Sequence, residues 1–308
     1  MVRNSGINVC LACDDNYAKY AGVVIASALY NADSEDVLNF YILDGGIKEE
    51  NKENILKLKS IKDCSINFIN IDSSLFSDYE CIKTHKYITI ATYYRLKASQ
   101  LLPNIDKIIY FDCDIVINTS LKSLYDTDIS GYLVAGVSDI KKKEVLKNPS
   151  YVNAGMLILN LKEIKEQNIE SKFLEYTKTN IETITKGDQE IINEVCKGKI
   201  KILDNIWNVQ VSNFTNRSSY TKKPKVIHYV SSNKPWKFAS YSYFKDYWFK
   251  YLQLTPWALK NDEIDYWYKK NQICSILSYI KYRPLFFLRP KFWHAIYRTY
   301  INPKEVAW

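Results

Sequence analysis

Short apolar runs separated by polar turns recur along the first half of the chain. Residues 7–13 (INVCLAC) are too short and too rich in branched side chains for a helix and read as a first strand. Asp14-Asp15-Asn16-Tyr17 interrupts them, and residues 20–30 (YAGVVIASALY) then read as a largely buried helix. Residues 39–43 predict a second strand closed by Asp44-Gly45-Gly46, and 48–61 a helix carrying Ile55, Leu58 and Ile61 on one face. Residues 65–71 alternate as a third strand. Thr89 reads as the N-cap of a helix over 90–102, ended by Pro103-Asn104. In the second half, 132–137 and 151–161 predict strands, the latter interrupted by Asn153-Ala154-Gly155. Helices follow over 162–180 and from Gly187 to Cys196, strands over 199–203 and 225–230, and an aromatic helix over 243–254. Strands alternating with helices describe an α/β protein with a mostly parallel sheet.

The stretch 107–118 reads KIIYFDCDIVIN, a buried strand broken by two carboxylates. On one strand, residues i and i+2 share a face, so Asp112 and Asp114 should point the same way. Like charges this close repel unless a cation lies between them. The pair therefore reads as a divalent-metal site, or as a polar strand end before a turn. Other polar residues interrupt or follow apolar runs at Asn153, Asp188, Gln189 and His228. By itself, His228 is a core histidine or a ligand, and Asp14 to Asn16 a capping loop or a ligand loop. A polar loop at the carboxyl end of a first strand is where α/β sheets bind ligands. No glycine-rich dinucleotide fingerprint and no Walker lysine motif accompanies it.

Composition narrows the class. The 308 residues are 47% hydrophobic and 25% charged, values of a globular protein with ample core. Seven cysteines occur singly except for Cys10 and Cys13, which suggests packed thiols in a reducing compartment. Neither a signal peptide nor a long apolar span is visible, so a cytoplasmic location is expected. The net charge of +8 is concentrated at the end: residues 269–308 hold eight Lys or Arg and a single acid, Glu305.

Taken in order, CLACDDNYAKYAGVVIASAL, ATYYRLKASQLLP, KIIYFDCDIVI, YVNAGMLILNL, GDQEIINEV and VIHYVSSNKPW resemble glycosyltransferase family 8. These are retaining transferases of the GT-A fold that include bacterial lipopolysaccharide galactosyl- and glucosyltransferases. The resemblance implies a catalytic domain over 1–257, with one mixed, mostly parallel sheet flanked by helices. It implies a UDP-hexose donor and Mn²⁺ (or Mg²⁺) held by Asp112, Asp114 and His228, with Cys113 beside the ligand through its backbone. Imidazole with carboxylates suits Mn²⁺ over Ca²⁺. Lys234 would add a positive charge on the diphosphate. Cys13, Asp14 and Asn16 would line the uridine, and Tyr17 would stack on the base. Arg95, Asp139, Asn153, Ala154, Asp188 and Gln189 would surround the sugar, with Gln189, Asp188, Asn153 and Arg95 as the catalytic set. Arg95 is alternatively a structural ion-pair member.

The resemblance implies that Gln189 holds the family position nearest to where a nucleophile would be needed, yet an amide is a poor one. Front-side attack is therefore favoured over double displacement. The sequence departs from the family pattern at Ser231, where a glycine is usual three residues after the metal histidine.

The segment 258–308 interleaves its cations with Trp267, Tyr268, Phe286, Phe287, Phe292, Trp293 and Trp308. Such interleaving suggests attachment to an anionic membrane surface, or aromatics packed on the body with a solvated basic face. No nucleic-acid-binding module accompanies the charge. The reading is a transferase acting on a glycan or glycolipid acceptor of cell-surface polysaccharide. Its rivals are a UDP-sugar-binding or hydrolysing protein without transfer, a transferase acting on protein-linked glycan, and a membrane- or nucleic-acid-adsorbing protein with a vestigial catalytic half.

Overall fold

The computed structural model describes residues 6–80, 90–139, 148–211, 223–230, 234–237, 242 and 244–260, with isolated positions beyond. Strands β1 (Ile7–Cys13), β2 (Leu38–Asp44), β3 (Cys64–Asn70), β4 (Lys107–Phe111), β6 (Val134–Ser138), β7 (Val152–Asn160) and β8 (Ile200–Ile202) form one seven-stranded sheet. Its order is β3-β2-β1-β4-β7-β6-β8, and only β7 pairs antiparallel to its neighbours. A second, smaller sheet adds to the expected one: β5 (Ile115–Ile117), β10 (Val226–His228) and β9 (Val209–Gln210), in that order.

The large sheet is apolar on both faces because both are covered. Along β1, Ile7, Val9, Leu11 and Cys13 enter one core and Cys10 the other. Along β4, Ile109 and Phe111 face the first core, Ile108 and Tyr110 the second. Helix α1 (Ala18–Tyr30) is buried nearly all round, since it lies between the two sheets: Val24 and Ile25 join the first core, Val23 the core under the small sheet. Helices α2 (Glu49–Leu56), α3 (Leu161–Glu166), α4 (Ile169–Asn180), α5 (Asp188–Val195) and α6 (Lys245–Leu252) complete the layers.

Three expectations need correction. The stretch 107–118 is two strands, not one, because the chain leaves the large sheet at Phe111 and enters the small sheet at Ile115. The helix over 90–102 is a 3-10 helix over Ile90–Lys97 followed by one α-turn, Ala98–Leu101. Tertiary packing overrides propensity there: Tyr93, Tyr94, Arg95 and Leu96 are all buried in succession, and Glu170 takes the Ser99 and Gln100 N–H groups at 2.8 and 3.2 Å. The helix over 162–180 divides at Asn168, which adopts φ 50° in the left-handed region. Thr89, Ser231 and nearly all of 258–308 lie outside the described residues.

Candidate active site

Strand register brings the three expected metal ligands together. Asp112 N–H donates to the Gly155 carbonyl at 2.8 Å, continuing the β4–β7 pairing by one residue. Tyr229 N–H donates to the Asp114 carbonyl at 3.0 Å, continuing the β5–β10 pairing, in which His228 lies opposite Ile115. Asp112 and Asp114 thus stand at the seam where the chain passes between sheets, and β10 delivers His228 to it. One ligand atom from each lies within 4.8 Å of the others. His228 Nε2 is 3.1 Å from Asp114 Oδ1 and 4.0 Å from Asp112 Oδ2.

These residues fit a divalent cation. The donor set is two carboxylates and an imidazole. Asp114 Oδ1 is buried and makes no well-aligned hydrogen bond, with only His228 Nε2 close to it at 3.1 Å; a positive ion would satisfy both atoms. Gly155 shapes the cradle, since a Cβ there would lie 2.2 Å from His228 Cε1 and 2.9 Å from Asp112 Oδ2. Burial raises the Asp114 carboxyl, but Lys234 and His228 beside it outweigh that and hold it well below the usual carboxylate range. The Lys234 ammonium pairs with Asp114 Oδ2 and donates to the Tyr229 carbonyl at 2.6 Å. The residue expected at the diphosphate therefore lies against the metal carboxylate. The Cys113 thiol turns back into the core, 3.4 Å from the Ala12 carbonyl.

Arg95 is both an ion-pair member and a site residue. It is 6% exposed and stacks on Tyr110 at 4.0 Å. Its Nη2 donates to Asp112 Oδ1 at 2.6 Å, its Nη1 to the Ala154 carbonyl at 2.5 Å and its Nε to the Thr92 carbonyl at 3.0 Å. Nε also lies 3.2 Å from Asp188 Oδ2. One guanidinium thus ties a candidate metal ligand to the first turn of α5. Burial pushes the Asp188 carboxyl up to about 6, with Arg95 opposing and Asp112 adding to the rise.

Around Arg95 the expected sugar-lining residues form one hydrogen-bonded chain. Gln189 Nε2 donates to Asp139 Oδ2 at 2.8 Å. Gln189 Oε1 accepts from Asn153 Nδ2 and Ala154 N–H, both at 3.1 Å. Asn153 Oδ1 accepts from Gly155 N–H at 3.1 Å and from Asn208 Nδ2 at 3.0 Å. Asn208 Oδ1 then meets His228 Nδ1 at 3.1 Å. Asn208 was not among the residues expected from sequence. The alternation Trp207-Asn208-Val209-Gln210-Val211 carries the signal of the short strand β9 that places it.

At the carboxyl end of β1, Asp14 caps a 3-10 turn over Asp15–Tyr17 by accepting from Tyr17 N–H at 3.1 Å. Cys13 is buried and Asn16 exposed. Tyr17 packs edge-on to Tyr20 at 5.3 Å, and Tyr20 stacks on Trp236 at 4.0 Å. Burial raises the Tyr17 phenol, and the Asp114 charge adds to the rise. Asp15, assigned no role from sequence, anchors the loop by accepting from Lys48 N–H at 3.0 Å and Asn51 Nδ2 at 2.7 Å.

Residues 8–240 match the model of glycosyl transferase family 8. A Haemophilus influenzae protein provisionally named a glycosyltransferase is 36% identical over 247 residues, covering 75% of this chain and 73% of that protein. The lipopolysaccharide 1,2-glucosyltransferase of Escherichia coli is 27% identical over 271 residues, 82% of this chain and 79% of that one. Among solved structures, galactosyltransferase LgtC with donor and acceptor sugar analogues superposes with a TM-score of 0.72 at 24% identity, over 86% of this chain and all of that one.

Proposed function

The chain belongs to glycosyltransferase family 8 and has the GT-A fold, and from that premise we propose that it is a metal-dependent, retaining hexosyltransferase. It moves galactose or glucose from a UDP-sugar to a glycan acceptor in cell-surface polysaccharide synthesis. The observation that carries this reading is the convergence of Asp112, Asp114 and His228 beside the Arg95–Asp188 pair and Gln189. When bound, Mn²⁺ or Mg²⁺ supplies Lewis-acid neutralisation of charge on the departing diphosphate.

The chain's own groups have distinct tasks. The Asp14–Tyr17 turn offers an exposed Asn16 and half-buried Asp14 and Tyr17 to a nucleotide. Lys234, on the far oxygen of Asp114, supplies a further positive charge within reach of an anionic leaving group. Arg95 holds Asp112 and Asp188 in fixed relation. Gln189 Oε1 already accepts two hydrogen bonds, so its lone pairs are engaged. That weakens it further as a nucleophile and favours front-side attack, in which the acceptor hydroxyl arrives on the face the diphosphate leaves. Asp188 and the Gln189 oxygen then stabilise positive charge developing on the sugar.

The segment 258–308 is proposed as an attachment to an anionic membrane surface, with the enzyme working from the cytoplasmic side. No helix among the described residues is long and apolar enough to cross a membrane. The test of function is a UDP-release screen over UDP-galactose, UDP-glucose and UDP-N-acetylhexosamines, with and without Mn²⁺ and acceptor oligosaccharides. Release that requires a hexose donor, metal and acceptor supports transfer. Equal release without acceptor supports hydrolysis instead.

A further inference from the structure

The polar chain from Asp139 to His228 has its direction fixed at the sugar end. Asp139 Oδ2 is a carboxylate oxygen of a buried residue, so Gln189 must present its NH₂ to it. Gln189 Oε1 consequently faces inward, where Ala154 N–H, which can only donate, meets it. Gly155 N–H likewise demands an oxygen, so Asn153 must turn Oδ1 toward it and Nδ2 toward Gln189. Asn153 Oδ1 then leaves Asn208 no choice but to donate with Nδ2. Asn208 Oδ1 is the atom left for His228. Flipping any one of these amides would set two donors or two acceptors against each other.

From this directed chain we infer that Asn208 is a positioning residue for the metal centre: it accepts the His228 Nδ1 proton, and so leaves Nε2, 3.1 Å from Asp114 Oδ1, as the atom offered to a cation shared with that carboxylate. The inference rests on the proposed metal-dependent reading and extends it from the ligands to what orients them. Asn208 and His228 are 2% and 4% exposed, so water does not compete for either group. The fold supplies the contact directly. In the parallel β9–β10 pairing His228 lies beside Gln210, and Asn208 immediately precedes β9. Metal-bound imidazoles commonly donate their second nitrogen to an oxygen acceptor, and losing that partner lowers metal affinity about 10- to 100-fold. Here the acceptor is the end of a chain that also holds Gln189 and Asn153, so the group lining the sugar and the group holding the metal share one set of hydrogen bonds.

Asn208→Leu, with the fold intact, should bind Mn²⁺ alone 10- to 100-fold more weakly, read from the free-ion electron paramagnetic resonance signal. The chain contains only three histidines, so long-range ¹H–¹⁵N correlation can follow the His228 ring directly. Asp114 lies 3.1 Å from Nε2 and holds a proton there when no metal is bound, so the tautomer is read in metal-free Asp114→Ala at a pH where the ring is neutral. The expected form there is Nδ1–H, lost when Asn208→Leu is added. An Nε2–H tautomer in Asp114→Ala overturns the inference, and so does unchanged Mn²⁺ affinity in folded Asn208→Leu. The underlying metal reading fails separately, if Asp114→Ala binds Mn²⁺ as the wild type does.

Discussion

A methyl group at position 155 would sit 2.2 Å from His228 Cε1 and 2.8 Å from Nδ1, distances that side chains do not tolerate. Gly155 therefore belongs to the proposed metal centre by having nothing to place in it. Gly155→Ala should displace His228 or Asp112, weaken Mn²⁺ binding at least tenfold and cost about 1–3 kcal/mol of stability through overpacking. Metal titration together with urea unfolding measures both. Asp188 makes a different demand on the fold. Its carboxyl ordinarily loses its proton near 3.8, but in the folded protein it holds on until about 6. The folded state thus binds a proton that the unfolded state releases, and stability falls as pH rises through this window. The contribution is fully present below 3.8 and gone above about 6. Asp188→Asn should flatten this part of the stability–pH profile, whereas an unchanged slope between pH 4 and 7 would remove the basis for it.

At the scale of elements, the site is built at places where regular pairing fails. Strand β7 keeps strict register with β4, yet against β6 its register shifts between Gly136 and Ser138. Val152 and Ala154 face the second core, and after Gly155 it is Met156 and Ile158 that face the first. The irregularity re-aims side chains next to a ligand site, a recognised use of bulges. It also explains how Asn153-Ala154-Gly155 reads as an interruption in sequence while the strand runs on in space. The seam at Asp112 to Asp114 follows the same logic. Alternation on one strand correctly anticipates two convergent carboxylates, but the cause is a passage between two sheets. Sequence cannot show that passage, because Ile108 to Phe111 and Ile115 to Ile117 are equally apolar and each is fully buried in its own sheet. Asn208 was missed for a related reason. Its alternation spans only Trp207 to Val211, which marks a short strand but not a site, and its partner lies 20 positions away.

For the molecule as a whole, the alternation of strands and helices made the parallel sheet legible, and the order of the polar interruptions made the family legible. The direction of hydrogen bonds among them was not, since it depends on which atom faces which. Trp257 packs onto Gly22 of α1, so the body extends at least that far along the chain. Beyond it, the basic and aromatic segment 258–308 is proposed to meet anionic lipid. Full-length protein should sediment with phosphatidylglycerol vesicles at low salt, and a chain ended near Asn261 should not; equal sedimentation of both would reject the attachment.

The measurement that bears most directly on the central claim compares UDP release by the wild type and Asp114→Ala. UDP-galactose and UDP-glucose are the donors, assayed with acceptor and with Mn²⁺ or a chelator. The account predicts release from at least one donor that is lost on chelation and reduced at least a hundredfold in the variant, with the fold intact. UDP release that persists undiminished in Asp114→Ala and in chelator would contradict it.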